Sequence, residues 1–233
     1  MREIVLDTET TGLDPAQGHR LVELGCVELL NRIPTGSTFH VYLNPEREMP
    51  AEAFAVHGLS DEFLKGQKRF VEIADEFLAF IGDAPLVIHN AGFDHTFLSA
   101  ELKRAERAPI ARERLVDTLS LARRKHPAGP NRLDDLCVRY GIDNSRRTKH
   151  GALLDAEILA EVYVELTGSR QAQLGLSEIS LRVVVNADGI ISIRERPEAL
   201  VPRLTETDLA AHRDFVAGLG ENALWREYQP NAG

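Results

Sequence analysis

The chain has 233 residues, 43% of them hydrophobic and 27% charged, with a formal net charge of −9. That is enough for one ordinary domain and a small appendage, with the composition of a soluble globule. No apolar run nears the ~20 residues of a membrane helix, acids interrupt the N-terminus MREIVLDTET before a secretory core can form, and the acidity argues against a protein that grips nucleic acid unaided. Cys26 and Cys137 lie in apolar patterns. They read as reduced core residues of a cytoplasmic protein and are too few for a cysteine-rich zinc site.

In chain order, residues 3–6 (EIVL) predict a short apolar strand. LVELGCVELL and STFHVYLNP predict two more, joined as a hairpin or meander with NRIPTG as the turn. Residues 50–58 read as a loop or short helix. Phe70, Ile73, Phe77, Leu78 and Ile81 recur at helical spacing, and Gly82 is placed to stop that helix. APLVIHN predicts a buried strand, FDHTFLSAELKRA a helix, and RLVDTLSLARRKH a strand end running into another helix. Asn131 is placed to cap RLDDLCVRYG, with Asp134 at the third helical position and Gly141 as the stop. GALLDAEILAEVYVELTG predicts a long helix ending at Gly168. The order is that of an α/β or α+β domain over residues 1–168, a mixed sheet with helices on its faces.

Periodicity is lost over residues 169–180, which read as a linker. Beyond it, LRVVV and IISIRE predict a hairpin about a turn holding Asn186, Asp188 and Gly189. LTETDLAAHRDFVAGLG predicts a helix opened by Thr205 and Asp208, and the tail ALWREY carries the only tryptophan.

Chemistry concentrates in three segments: VLDTETTGL, VIHNAGFDHTF and RTKHGALLDAE. Asp7 and Glu9 are two apart on an extended segment, so their side chains share a face. Two like charges held together are costly unless cations sit between them. Asp94 follows a second apolar strand. Asp155 lies inside an otherwise apolar helix, and His150 stands at its entry. Oxygen ligands favour Mg²⁺ or Mn²⁺ over zinc. Two such ions about 3.5–4 Å apart stabilise both the attacking and the leaving oxygen of a phosphodiester displacement.

The three segments resemble the three motifs of the DnaQ-like, DEDDh-type 3′–5′ exonucleases, and the flanking DTETTGL, VHGLSDEFL, HNAGFD and NRLDDLCVRYGID extend the likeness to polymerase-associated proofreading members. The resemblance is dense over residues 1–168 and thinner beyond. It implies a ribonuclease H-like α/β fold, a mixed five-stranded sheet flanked by helices, with a small C-terminal extension. It also implies two divalent cations. Asp7 would bridge them, Glu9 and Asp155 would complete the site of the nucleophilic water, Asp94 would hold the second ion, and His150 would take the proton. Thr8, Glu52, His57 and Phe93, with Asp7, Glu9 and Asp155, would contact the terminal nucleotide at a DNA 3′ end. Thr11 and Gly12 would line the same pocket.

Gln171, Leu174 and Leu176 resemble a short peptide that bacterial proteins insert into the sliding clamp. Residues 181–233 are expected to dock on the polymerase catalytic (alpha) subunit, and a small third subunit is left open. Two other readings compete: a related exoribonuclease trimming RNA 3′ ends, and a noncatalytic scaffold joining polymerase to clamp. The complete five-residue set argues against the scaffold.

Overall fold

Arg2–Thr10 (β1) is the central strand of a five-stranded sheet. The structure is a computed structural model in which residues 1–147, 149–168 and 205–219 are described. β1 pairs antiparallel with Leu21–Leu30 (β2), and β2 with Ile33–Tyr42 (β3). On its other side β1 runs parallel to Leu86–Ile88 (β4), which pairs with Leu115–Asp117 (β5), so the order is β3-β2-β1-β4-β5. The helices are Ala51–His57 (α1), Asp61–Lys65 (α2), Phe70–Ile81 (α3), Ala91–Arg104 (α4), Thr118–Lys125 (α5), Leu133–Tyr140 (α6), Ala152–Leu166 (α7) and Glu206–Gly218 (α8). The chain divides into two units, Met1–Leu174 and Gly175–Gly233.

Strand alternation sends side chains to two cores. Ile4 and Leu6 of β1 join Phe70, Ile73 and Phe77 of α3 and Phe97 and Leu98 of α4. Val5 points the other way, into a core with Leu136, Ala156, Leu159 and Val162 of α6 and α7. Glu3 confirms the facing, because Tyr163 of α7 donates its hydroxyl to Glu3 at 2.7 Å. By the same alternation Asp7 and Glu9 face α7 and Thr8 faces the α4 side. Each fully buried Phe or Leu contributes roughly 1.5–3 kcal/mol, and Phe70, Phe77, Phe97, Ile4, Leu6 and Leu24 are all in that state. That scaffold can tolerate an unfavourable cluster of carboxylates.

The structure corrects the sequence reading in four places. β1 runs to Thr10, so Asp7 and Glu9 lie inside a paired strand, opposite Gly25 and Glu23, rather than after its end. The β2–β3 turn is the two residues Asn31 and Arg32, at φ 52° and 67°, and not NRIPTG. Two left-handed residues make the turn whose twist matches a tight hairpin, and Pro34 is tolerated because β3 is an edge strand. Arg132, not Asn131, caps α6, and its N–H donates to Asp135 at the third position, 3.0 Å away. Asp134 is thereby free for other partners. Finally, the short helix α2 was not foreseen; Ser60 caps it by accepting from the Phe63 N–H.

In the second unit, α8 opens as expected. Thr205 accepts from the Asp208 N–H, and the Asp208 carboxylate accepts from Thr205 N. The linker at 169–180, the hairpin, the tail and the peptide of Gln171, Leu174 and Leu176 lie outside the described residues.

Candidate active site

The carboxylates meet at the carboxyl end of the parallel strands β1 and β4, where open α/β sheets place their ligands. Asp7 and Glu9 come from β1, Asp94 from the first turn of α4 and Asp155 from the first turn of α7. Thr8 Oγ1 donates to Asp94 Oδ1 at 2.7 Å, tying α4 to β1. Glycine makes the approach of α7 possible. A Cβ on Gly25, directly across the ladder from Asp7, would lie 2.3–2.5 Å from the backbone of Ala152 and Leu153. Backbone cannot yield as a side chain does, so Gly25→Ala is expected to destabilise the protein by about 3 kcal/mol. It should also cut activity by more than tenfold by shifting Asp155. Thermal melts and kcat/KM check this, and a wild-type value for both would refute the packing argument.

Glu9, Asp94 and Asp155 are buried. Asp7 is half-buried by surface exposure, yet its carboxylate is crowded as a buried group is. Burial, then the charges of Asp94, Glu9 and Asp155, holds Asp7 well above the usual carboxylate range against the pull of Arg147. Burial, then Asp155 and Glu23, pushes Glu9 up to about 8. Burial lifts Asp94 to about 7, although the bond from Thr8 opposes it. Asp155 goes the other way: burial would raise it, but bonds from His150 and Arg147 outweigh that and hold it below its ordinary value. Three of four carboxylates are thus destabilised as anions, as expected of a donor set shaped for hard cations. Glu9, Asp155 and His150 can bring ligand atoms within 4.8 Å of one another.

Arg147 is the residue the sequence reading missed. Its Nε and Nη2 lie 2.5 and 2.7 Å from the two Asp155 oxygens, a bidentate fork, and its Nη1 lies 2.6 Å from Asp134. His150 Nδ1 is 2.7 Å from Arg147 Nη2 and 3.3 Å from Asp155 Oδ2. The first contact needs Nδ1 as acceptor and the second needs it as donor, so the tautomer selects between them. α1 secures the same segment: the His150 N–H donates to Val56 O at 3.3 Å, and Lys149 Nζ sits 5.2 Å over the Phe54 ring.

A cleft of about 930 Å³ runs along these groups, lined by Asp7, Thr8, Glu9, Phe93, Asp94, His150 and Asp155 among others. Phe93 is half-buried against Phe97. Glu52 and His57 are not among the lining residues. Glu52 is exposed on α1. His57 is buried; its Nδ1 accepts from the Leu59 N–H, and among the described residues its Nε2 shows no hydrogen-bond partner. Thr11 is fully buried and bonded to His19 and Arg20, and a Cβ on Gly12 would collide with the His19 ring. Those two residues hold a turn.

A family model described as exonuclease matches residues 4–163. Among solved structures, the nuclease domain of 3′hExo, a DEDDh family member bound to rAMP, is similar at TM-score 0.62 and 16% identity, covering 72% of this chain and 92% of that one. Exonuclease X in complex with 5′ overhanging duplex DNA follows at TM-score 0.57 and 22% identity, covering 71% and 91%. Fold, carboxylates and family match define a 3′–5′ exonuclease. DNA polymerase III subunit epsilon of Rickettsia felis is 47% identical over 226 residues, 96% of this chain and 99% of that protein. The subunit of the same name from Escherichia coli K12 is 45% identical over 236 residues, 97% of each chain. The chain belongs to the exonuclease family, in the group of DNA polymerase III epsilon subunits.

Proposed function

We propose that this chain proofreads DNA synthesis, removing the 3′-terminal nucleotide of a primer as a 5′-monophosphate with the aid of two divalent cations, Mg²⁺ or Mn²⁺. The observation that carries this is the meeting of Asp7, Glu9, Asp94 and Asp155 with His150 along one cleft, three of the carboxylates being held above their ordinary pKa. Asp7, Glu9, Asp94 and Asp155 would hold the cations. When bound, these would activate water and stabilise the charge of the attacking and leaving oxygens. His150 accepts the proton of the attacking water. Asp155 and Arg147 orient the imidazole from its Nδ1 side. Thr8 fixes Asp94. Phe93 packs against the terminal sugar or base, and Glu52 and His57 contact the same nucleotide.

The polymerase catalytic subunit is the proposed partner of residues 181–233, and the sliding clamp that of Gln171, Leu174 and Leu176. The setting is cytoplasmic. Among the described residues no helix is long and apolar enough to cross a membrane.

The test is digestion of a primer with a mismatched 3′ end, in DNA and RNA versions, with Mg²⁺ and with chelator. Metal-dependent release of deoxynucleotides, faster than release of ribonucleotides, supports proofreading; a preference for RNA would favour the exoribonuclease reading. His150→Gln is expected to lower kcat by about a hundredfold with KM nearly unchanged, as loss of a general base does. An unchanged kcat would remove His150 from the mechanism.

A further inference from the structure

We propose that the wall formed by α5, α6 and the loop between them is a binding subsite for the sugar–phosphate backbone of the single strand lying 5′ of the scissile linkage, gripped by Arg123 and Arg132. This rests on the exonuclease reading above and adds a site to it. The cleft does not stop at the carboxylates. Arg123, Pro127, Gly129 and Arg132 line it too, so one cleft carries both the carboxylate cluster and two further guanidinium groups. With the terminal phosphodiester at the carboxylates, a strand lying in the same cleft has the two guanidinium groups within its walls.

Among the described residues those guanidinium groups are unengaged. Arg2, Arg20 and Arg107 pair with carboxylates, Arg114 with carbonyls, Arg139 with Asn131 and Pro130, and Arg147 with Asp155 and Asp134. Arg123 and Arg132 are exposed, and among the described residues neither guanidinium has a carboxylate or carbonyl partner. Free forks suit phosphate oxygens. In a chain of net charge −9, such a pair is a local exception that would position a polyanion along one line.

The wall is also rigid. The Asn131 amide donates to His126 O at 3.2 Å and Gly129 O at 2.9 Å, while its oxygen accepts from Arg139 at 3.1 Å. Arg139 also donates to Pro130 O at 2.9 Å, and His126 meets the Tyr140 hydroxyl at 2.6 Å. The loop flanked by the two arginines is therefore fixed before any ligand arrives, which lowers the ordering cost of binding.

The experiment compares the protein with its Arg123→Gln/Arg132→Gln variant on a dinucleotide and on longer single-stranded DNA across a range of salt. In the unaltered protein kcat/KM should rise with strand length and fall with salt. In the variant the gain with length should vanish, KM on long strands should rise about tenfold at low salt, and the log–log salt slope should shrink by about 1.4 for two lost phosphate contacts. Arg124→Gln removes the same charge from α5 at an exposed position outside the cleft lining and should leave the slope alone. The proposal is overturned if the double variant keeps the original slope and length dependence, or if Arg124→Gln matches its effect. It is equally overturned if the double variant loses only association with the polymerase subunit, which would make the wall a protein surface. If the unaltered protein cleaves no strand with a divalent cation present, the exonuclease reading itself fails.

Discussion

Replacing Asp7 by alanine is expected to lower kcat/KM by at least about a thousandfold, roughly 4 kcal/mol of barrier, while raising the melting temperature in metal-free buffer. The two effects share one cause. Asp7 sits between Glu9 on its own strand, Asp94 on α4 and Asp155 on α7, and each of the three raises its pKa. Asp7 is one of the four carboxylates that would hold the cations, so its loss would weaken the charge stabilisation they would supply to the reacting oxygens. In the absence of metal the same carboxylate is a source of repulsion, so its removal relieves the fold. A structural residue would behave differently, losing activity and stability together. Kinetics on a mismatched primer and melts in chelator separate the cases. A variant retaining more than a tenth of the activity, or melting several degrees lower, would count against a metal-holding role.

How much of this was legible in the sequence depended on the kind of signal. The helices announced themselves through apolar spacing: Phe70, Ile73, Phe77 and Ile81 are all buried on one face of α3. The five motif residues were legible because three distinct segments each set carboxylates or an imidazole in or beside an apolar element, and the fold brings all five to one cleft. Where local chemistry was ambiguous the reading failed. Asn131 has the side chain of a cap, but its amide is used to brace the loop before α6, and Arg132 stands at the cap with Asp135 accepting its N–H. Asn31 and Arg32 carry no glycine, so nothing in the sequence announced a tight turn of two left-handed residues. Arg147 and Gly25 were illegible for a deeper reason. The value of Arg147 lies in its fork on Asp155, and that of Gly25 in the absence of a Cβ where α7 crosses the sheet. Both depend on tertiary approach, which periodicity does not encode.

Stability in metal-free buffer should fall as pH rises from about 5.5 to 8.5, against the usual behaviour of carboxylate-rich proteins. The sign follows from the direction of the shifts. Glu9 is held at about 8 against an ordinary 4.5, and Asp94 at about 7 against 3.8. A carboxyl whose folded pKa is raised binds its proton more tightly in the fold than in the unfolded chain. Its contribution is fully present below the ordinary pKa and is lost as pH climbs through the folded one. For Glu9 the difference corresponds to roughly 5 kcal/mol at most. A net loss of about 3 kcal/mol, or about 10 °C in melting temperature, is a fair expectation for a chain of this size. Asp155 and Asp117, both held below their ordinary values, act oppositely and lose their contribution as pH falls through the acid range. Maximal stability should therefore lie near pH 4–4.5 without metal. A divalent cation binds the ionised cluster and stabilises by mass action, about 2.7 kcal/mol at a hundredfold excess over Kd. It should erase most of the alkaline loss while changing little at pH 5. The double change Glu9→Gln/Asp94→Asn should flatten the pH profile and abolish the metal response together. A melting temperature constant from pH 5.5 to 8.5 in chelator would show that the carboxylates are not crowded as described. A metal response surviving the double change would put the cations elsewhere.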